Sequence, residues 1–196
     1  IVAWFKRVGA GDLASSGTGG ITDCLPLVTK GRGEADSSNL DANYLLCISD
    51  TTDVIAADFE DNATGANHPV LGTTTISNNV WYHGAATYNG STWGLYLNAK
   101  LEAADVEGAN PRGDSIQDNA IGSTLNSTGG ANGRDGAFNG TIDDVRIYQG
   151  ALTQDEITEI YFSSLTKYNS TNWNLYVNQR KNETAGLDLG NYTYFA

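Results

Sequence analysis

Basic residues are scarce in this chain: 11 Lys and Arg stand against 23 Asp and Glu across 196 residues, for a formal net charge of -12. A surface of that sign repels phosphate backbones and anionic headgroups, which excludes nucleic acid and membrane surfaces as partners. Acidic carbohydrate is excluded too unless a cation bridges. Long apolar runs are also missing, so no segment reads as a membrane span. The opening IVAWFKR lacks the layout of a signal peptide and is what a mature, processed chain is expected to show. Histidine and cysteine are down to two each. His68 and His83 share no metal-ligand spacing, two cysteines cannot build a structural zinc site, and no Ser/His/Asp grouping can be assembled. His83, beside Trp81 in a strand-like run, reads as a core histidine rather than a base. Charged residues are only 17% of the chain while Asn, Ser, Thr and Gly abound, which argues against a helical protein.

What is present is β-structure. Alternating or β-branched and aromatic runs recur at 1–8, 24–30, 43–49, 53–59, 73–77, 80–88, 92–98, 115–122 and 141–148, with turn-rich stretches such as GTGG and DNATGANHP between them. The expected fold is all-β: a two-sheet antiparallel jelly-roll sandwich with one short helix. That helix is ALTQDEITEIY, where Thr153 and Glu156 form a capping box, so it is predicted near 153–161. In WYHGAATYNGSTWGLYLN, Asn89-Gly90 suits the left-handed angles of a tight hairpin turn, and Trp81 and Trp93 are expected in the core. Cys24 and Cys47 lie by neighbouring strand-like runs and are either a disulfide or two buried free thiols. Asn-X-Ser/Thr acceptors fall at Asn62, Asn89, Asn126, Asn139, Asn169, Asn182 and Asn191, against roughly three expected by chance, reflecting either a glycosylated surface or a turn-rich composition.

The run FNGTIDDVRIYQGALTQDEITEIY resembles the closing strand and helix of bacterial laminin-G-like, or concanavalin-A-like, jelly rolls. VWYHGAATYNGSTWGLYLN resembles their central hairpin, and LVTKGRGEADSSNLDANYLL and IAADFEDNATGANHPV resemble runs of large secreted bacterial proteins of this class. The likeness spans residues 1 to 161 and implies a fold that hosts lectins, adhesion modules, glycanases and pentraxin-like proteins. In IDDVRIY the first acid resembles the position that ligates a structural Ca²⁺ in related jelly rolls, which carries over to Asp143, while Asp144 can pair with Arg146. The glycanases of this superfamily carry an E-x-D-x-x-E run, whereas here Glu34-Ala-Asp36-Ser-Ser-Asn39 ends in Asn within a loop-like stretch, so no catalytic residue is assigned.

Domains of this class usually open with a strand before the one that ends in AWFK, yet here IVAWFKR comes first. The tail segment GLDLGNYTYFA resembles that missing opener, with Leu187 and Leu189 alternating on one face and Tyr192 and Tyr194 further on. The expected organisation is therefore a jelly-roll domain over 1–162, lacking its first strand, and a C-terminal extension over 163–196 with β segments. YNSTNWNLYVN at 168–178 echoes YNGSTWGLYLN at 88–98 and favours a strand over a disordered tail. If the tail folds back, the domain is a circular permutant and stays monomeric; if it completes a neighbouring copy, head-to-tail joining gives a homopolymer. The leading expectation is a non-enzymatic extracellular subunit of a strand-donating, glycosylated filament or surface layer. The alternative is a Ca²⁺-dependent carbohydrate-binding or adhesion module.

Overall fold

In a computed structural model the described residues are 1–36, 38–130, 136–167 and 173–177. The positions expected to donate a strand, Leu187, Leu189, Tyr192 and Tyr194, and the acceptors Asn169, Asn182 and Asn191 lie outside them. The chain divides into two compact units, Ile1–Gln154 and Asp155–Ala196.

The first unit holds β1 (Val2–Arg7), β2 (Cys24–Lys30), β3 (Tyr44–Ser49), β4 (Val54–Asp58), β5 (Val70–Thr75), β6 (Tyr82–Tyr88), β7 (Thr92–Leu97), β8 (Lys100–Val106), β9 (Asn119–Ile121) and β10 (Gly140–Arg146). They form two five-stranded antiparallel sheets, ordered β10-β1-β6-β7-β8 and β5-β4-β3-β2-β9. Helix α1 (Gln154–Phe162) follows directly after Thr153, with Asp155 and Glu156 in its first turn. In the second unit β11 (Ser163–Lys167) pairs antiparallel with β12 (Trp173–Val177), so the described part of the echo of the central hairpin is a strand.

Alternation builds the core. Ala3 and Phe5 of β1, Leu46 and Ile48 of β3, Ile55 and Ala57 of β4, and Trp93, Leu95 and Leu97 of β7 share one buried cluster between the sheets. In β2 the register shifts between Pro26 and Val28, where proline has no N–H to give the ladder; Leu25, Leu27 and Val28 consequently all reach that cluster. The opposite parity carries a second, smaller cluster of Ile21, Cys24, Leu45, Cys47 and Ala56 on the outer face of the β3–β4 sheet. Here Cys24 and Cys47 are joined by a disulfide with 5.9 Å between Cα atoms, which decides between the two alternatives left by the sequence. By loop-closure entropy that bond is worth roughly 3 to 4 kcal/mol.

Three local expectations need correction. Trp81 is 41% exposed, with the Lys6 ammonium 5.4 Å from its ring centroid; only Trp93 is in the core. At the β6–β7 turn Gly90 alone has positive φ, because Asn89 works through its side chain, Oδ1 accepting from the Ser91 and Thr92 amides. The left-handed two-residue turn belongs instead to Asn98-Ala99 (φ 50° and 62°) between β7 and β8. Among the described acceptors Asn62, Asn89 and Asn139 are exposed, whereas Asn126 is buried and its Oδ1 accepts from Thr128 and Gly130, so it is not an accessible attachment point.

Candidate functional site

The parity of β4 sets up the site. Ala56 faces the outer cluster, and counting on by twos puts Asp58 and Glu60 on the same side. That face is covered by two loops. Residues 14–22 are anchored on Asp58, whose carboxylate accepts from Ser16 Oγ at 2.5 Å and from the Ile21 and His68 amides. Residues 31–36 and 38–42 are clamped by the buried Gln117, which donates to Glu34 and to the Leu40 carbonyl and accepts from the Arg32 amide. The loops touch where Gly33 N donates to Ser15 O at 2.8 Å, and a Cβ on Gly33 would lie 2.4 Å from Gly17 N. Only glycine permits that approach.

Between these loops and the end of β4 lies an acidic cluster. Asp36, Asp41 and Glu60 each bring one carboxylate oxygen within 4.8 Å of the others; Asp36 is exposed, while Asp41 and Glu60 are fully buried. Arg112 lies against them, its Nε 2.6 Å from Glu60 Oε1 and its Nη1 3.2 Å from Asp114. Burial and the facing Asp41 carboxylate push the Glu60 carboxyl well above its ordinary range, against the pull of Arg112.

The same loop runs straight into a cleft. Asn43 and Tyr44 follow Asp41 by two and three residues, and they line a cleft of about 300 Å³ with Phe59, Tyr88, Trp93 and Tyr148. Three of its rings form a tilted cluster: Phe59–Tyr88 centroids are 4.8 Å apart, and Phe59–Trp93 and Tyr88–Trp93 are both 5.2 Å apart. Three polar ring edges are tied down, Trp93 Nε1 to His68 O, Tyr88 Oη to Ala109 O and Tyr44 Oη to Asn119 Oδ1. Asn43 Nδ2 donates to the Arg112 carbonyl, so one side chain links the cleft wall to the acidic cluster. Behind the cleft His68 sits between Asp61 Oδ2 at 3.1 Å and Glu107 Oε2 at 2.7 Å.

The sequence-predicted ligand Asp143 is elsewhere. It is exposed on β10 opposite Trp4, and its Oδ1 accepts from the Asp144 amide; among the described residues it joins no group of three acids, cysteines or histidines. Asp144 does pair with Arg146, at 2.6 Å. His83 is buried as expected, and burial pushes its pKa down to about 4. Glu34 of the glycanase-like run accepts from Gln117 Nε2 and from the Ser127 amide and hydroxyl, and with Asp36 it lines a shallow, open depression away from the aromatic cleft. The sequence reading missed Asp41, Glu60, Arg112, Asn43 and the paired roles of Tyr44 and Tyr88. The period-two count from β4 was the available signal for Glu60.

A profile of the concanavalin A-like lectin/glucanases superfamily matches residues 15–158. A sequence search of curated proteins found no match. Similar solved structures include a CBM40 domain of the Ruminococcus gnavus IT-sialidase (14% identity, TM-score 0.57, 82% of this chain and 80% of that one) and the heptameric SAP-like pentraxin of Limulus polyphemus (14%, 0.56, 82% and 67%). A third is domain 4 of AbnA, a GH43 extracellular arabinanase of Geobacillus stearothermophilus, in complex with arabinotriose (17%, 0.52, 82% and 64%). The chain spans only 38% of two longer chains that also match. At these identities the likeness concerns the fold, two five-stranded sheets around one core. With that fold and a profile match over most of its length, the chain belongs to the concanavalin A-like lectin/glucanases superfamily.

Proposed function

We propose that this protein is an extracellular, non-catalytic carbohydrate-binding domain, and that the cleft walled by Tyr44, Tyr88 and Tyr148 and edged by Asn43 and Gln149 is where the glycan sits. One observation carries the reading: a cleft of about 300 Å³ in which aromatic rings are held by hydrogen bonds to their edges while amide side chains stand at the rim. Sugar rings present apolar C–H faces that pack on aromatic rings and hydroxyls that need amide partners, so this combination suits them. Similarity to a sialidase CBM40 that has been crystallised with α2,3 and α2,6 sialyllactose, and to an arabinanase domain with arabinotriose, supports the class of ligand and leaves its identity open. The disulfide between Cys24 and Cys47 supports an extracellular setting. Among the described residues no helix is long and apolar enough to cross a membrane. Filament formation by strand donation rests on residues 186–195, which lie outside the described ones, and gains no support from the glycan-binding neighbours.

The test is a glycan array followed by calorimetric titration of the best oligosaccharide into the wild type, Asn43→Ala and Tyr148→Ala. Each substitution is expected to weaken binding by about tenfold, equivalent to roughly 1.4 kcal/mol, with folding retained because neither side chain is in the core. Unchanged affinity in both variants, or no glycan bound at all, counts against the cleft.

A further inference from the structure

The outer face of β4 buries more negative charge than the described residues around it neutralise. Asp41 and Glu60 are fully buried and Arg112 nearly so, which leaves one carboxylate in excess before the exposed Asp36 is counted. Each buried acid has one oxygen fixed by a donor, Asp41 Oδ1 by the Ala42 amide at 2.7 Å and Glu60 Oε1 by Arg112 Nε at 2.6 Å. The other oxygens, Asp41 Oδ2 and Glu60 Oε2, are buried with no hydrogen-bond partner among the described residues. Carboxylate oxygens withdrawn from water in this way require a counter-charge.

We propose that Asp36, Asp41 and Glu60 bind a divalent cation, with Ca²⁺ the best match. The donor set is all carboxylate, without His or Cys, which selects a hard cation over zinc or copper. The ligand atoms lie within 4.8 Å of one another, and oxygens on opposite sides of one Ca²⁺ are separated by roughly 4.6 to 5.2 Å. Asp36 is exposed, so the ion has an entry path and a side on which water completes its coordination. Arg112 does not compete for the site, since its guanidinium is committed to Glu60 Oε1 and Asp114. A proton shared between Asp41 and Glu60 is the rival compensation, and it would leave the protein indifferent to Ca²⁺. A bound cation would tie Asp36 and Asp41 to the end of β4 and, through Asp41-Ala42-Asn43-Tyr44, hold one wall of the cleft. That last consequence rests on the glycan-binding reading; the cation site does not.

The experiment is calorimetric titration of the chelator-treated full chain with CaCl2, without sugar, alongside thermal melts with Ca²⁺ and with EDTA. One site with a Kd on the order of 10⁻⁴ M and a Tm that rises with Ca²⁺ are expected. Asp36→Asn, at an exposed position, is expected to weaken Ca²⁺ binding by about tenfold while leaving the metal-free Tm unchanged. Asp143→Asn is expected to bind as the wild type does. Absence of both heat and melting shift overturns the proposal in favour of the shared proton. Loss of binding in Asp143→Asn but not in Asp36→Asn overturns it by moving the ion to β10.

Discussion

The two histidines of this chain sit in opposite electrostatic surroundings, and the difference has a sign that can be measured. Burial alone would lower the pKa of His68, yet hydrogen bonds to Asp61 and Glu107 and their charges outweigh it and raise the value. His83 has burial as its main influence, and its pKa falls to about 4. A raised folded-state pKa contributes stability that is fully present below the unfolded value, about 6.5, and is lost as pH rises through the folded value. For His83 the unfolded chain takes up its proton first, so its contribution falls as pH drops from about 6.5 towards 4. Replacing His68 with Gln is therefore expected to remove a loss of stability above neutrality while leaving the acid-side slope intact. Urea midpoints measured from pH 5 to 9 check this; an unaltered slope above pH 7 would show that His68 is not charged in the fold. The sequence placed His83 in the core from its neighbours in a strand, but it carried no sign of the Asp61–His68–Glu107 group, whose members come together only when the segments after β4 and β8 meet.

At the scale of elements, most strands could be read from alternation because one face is buried and the other is not. β8 was missed for an equally physical reason: Lys100-Leu-Glu-Ala-Ala-Asp-Val is rich in helix formers, and as an edge strand it is mostly exposed, so neither propensity nor alternation marks it. Its strand state is imposed from outside. The Asn98-Ala99 turn folds it back on β7, and the Glu102 carboxylate accepts from the amides and hydroxyls of Thr73 and Thr74 on β5, bridging the two sheets. Ala99 has a φ of 62°, where its Cβ crowds the backbone. Ala99→Gly is expected to stabilise the domain by about 0.5 to 1 kcal/mol, the relief of left-handed strain partly offset by glycine's extra unfolded-state entropy. Chemical denaturation decides it, and a loss of stability would mean that the turn is not strained at Ala99.

For the whole molecule, the fold class was legible because turn spacing, strand patterning and one capping box agree with each other. The candidate site was legible only in pieces. Asp41, Asn43 and Tyr44 share a run whose family likeness was visible, but their partners Glu60, Tyr88 and Arg112 come from separate loops and strands, and only the closed sandwich brings them together. The expectation of a filament rests on the tail, whereas the first unit presents a cleft with aromatic walls, which favours glycan binding. Glycan binding at this cleft is tested by titrating the best array oligosaccharide into ¹⁵N-labelled protein, because each backbone amide and each tryptophan indole reports separately. Saturable shifts are expected for the Asn43, Tyr44 and Tyr88 amides and for the Trp93 indole, with the Trp81 indole unmoved. Shifts confined to Trp81 and the outer face of β10, or none at millimolar sugar, would contradict it.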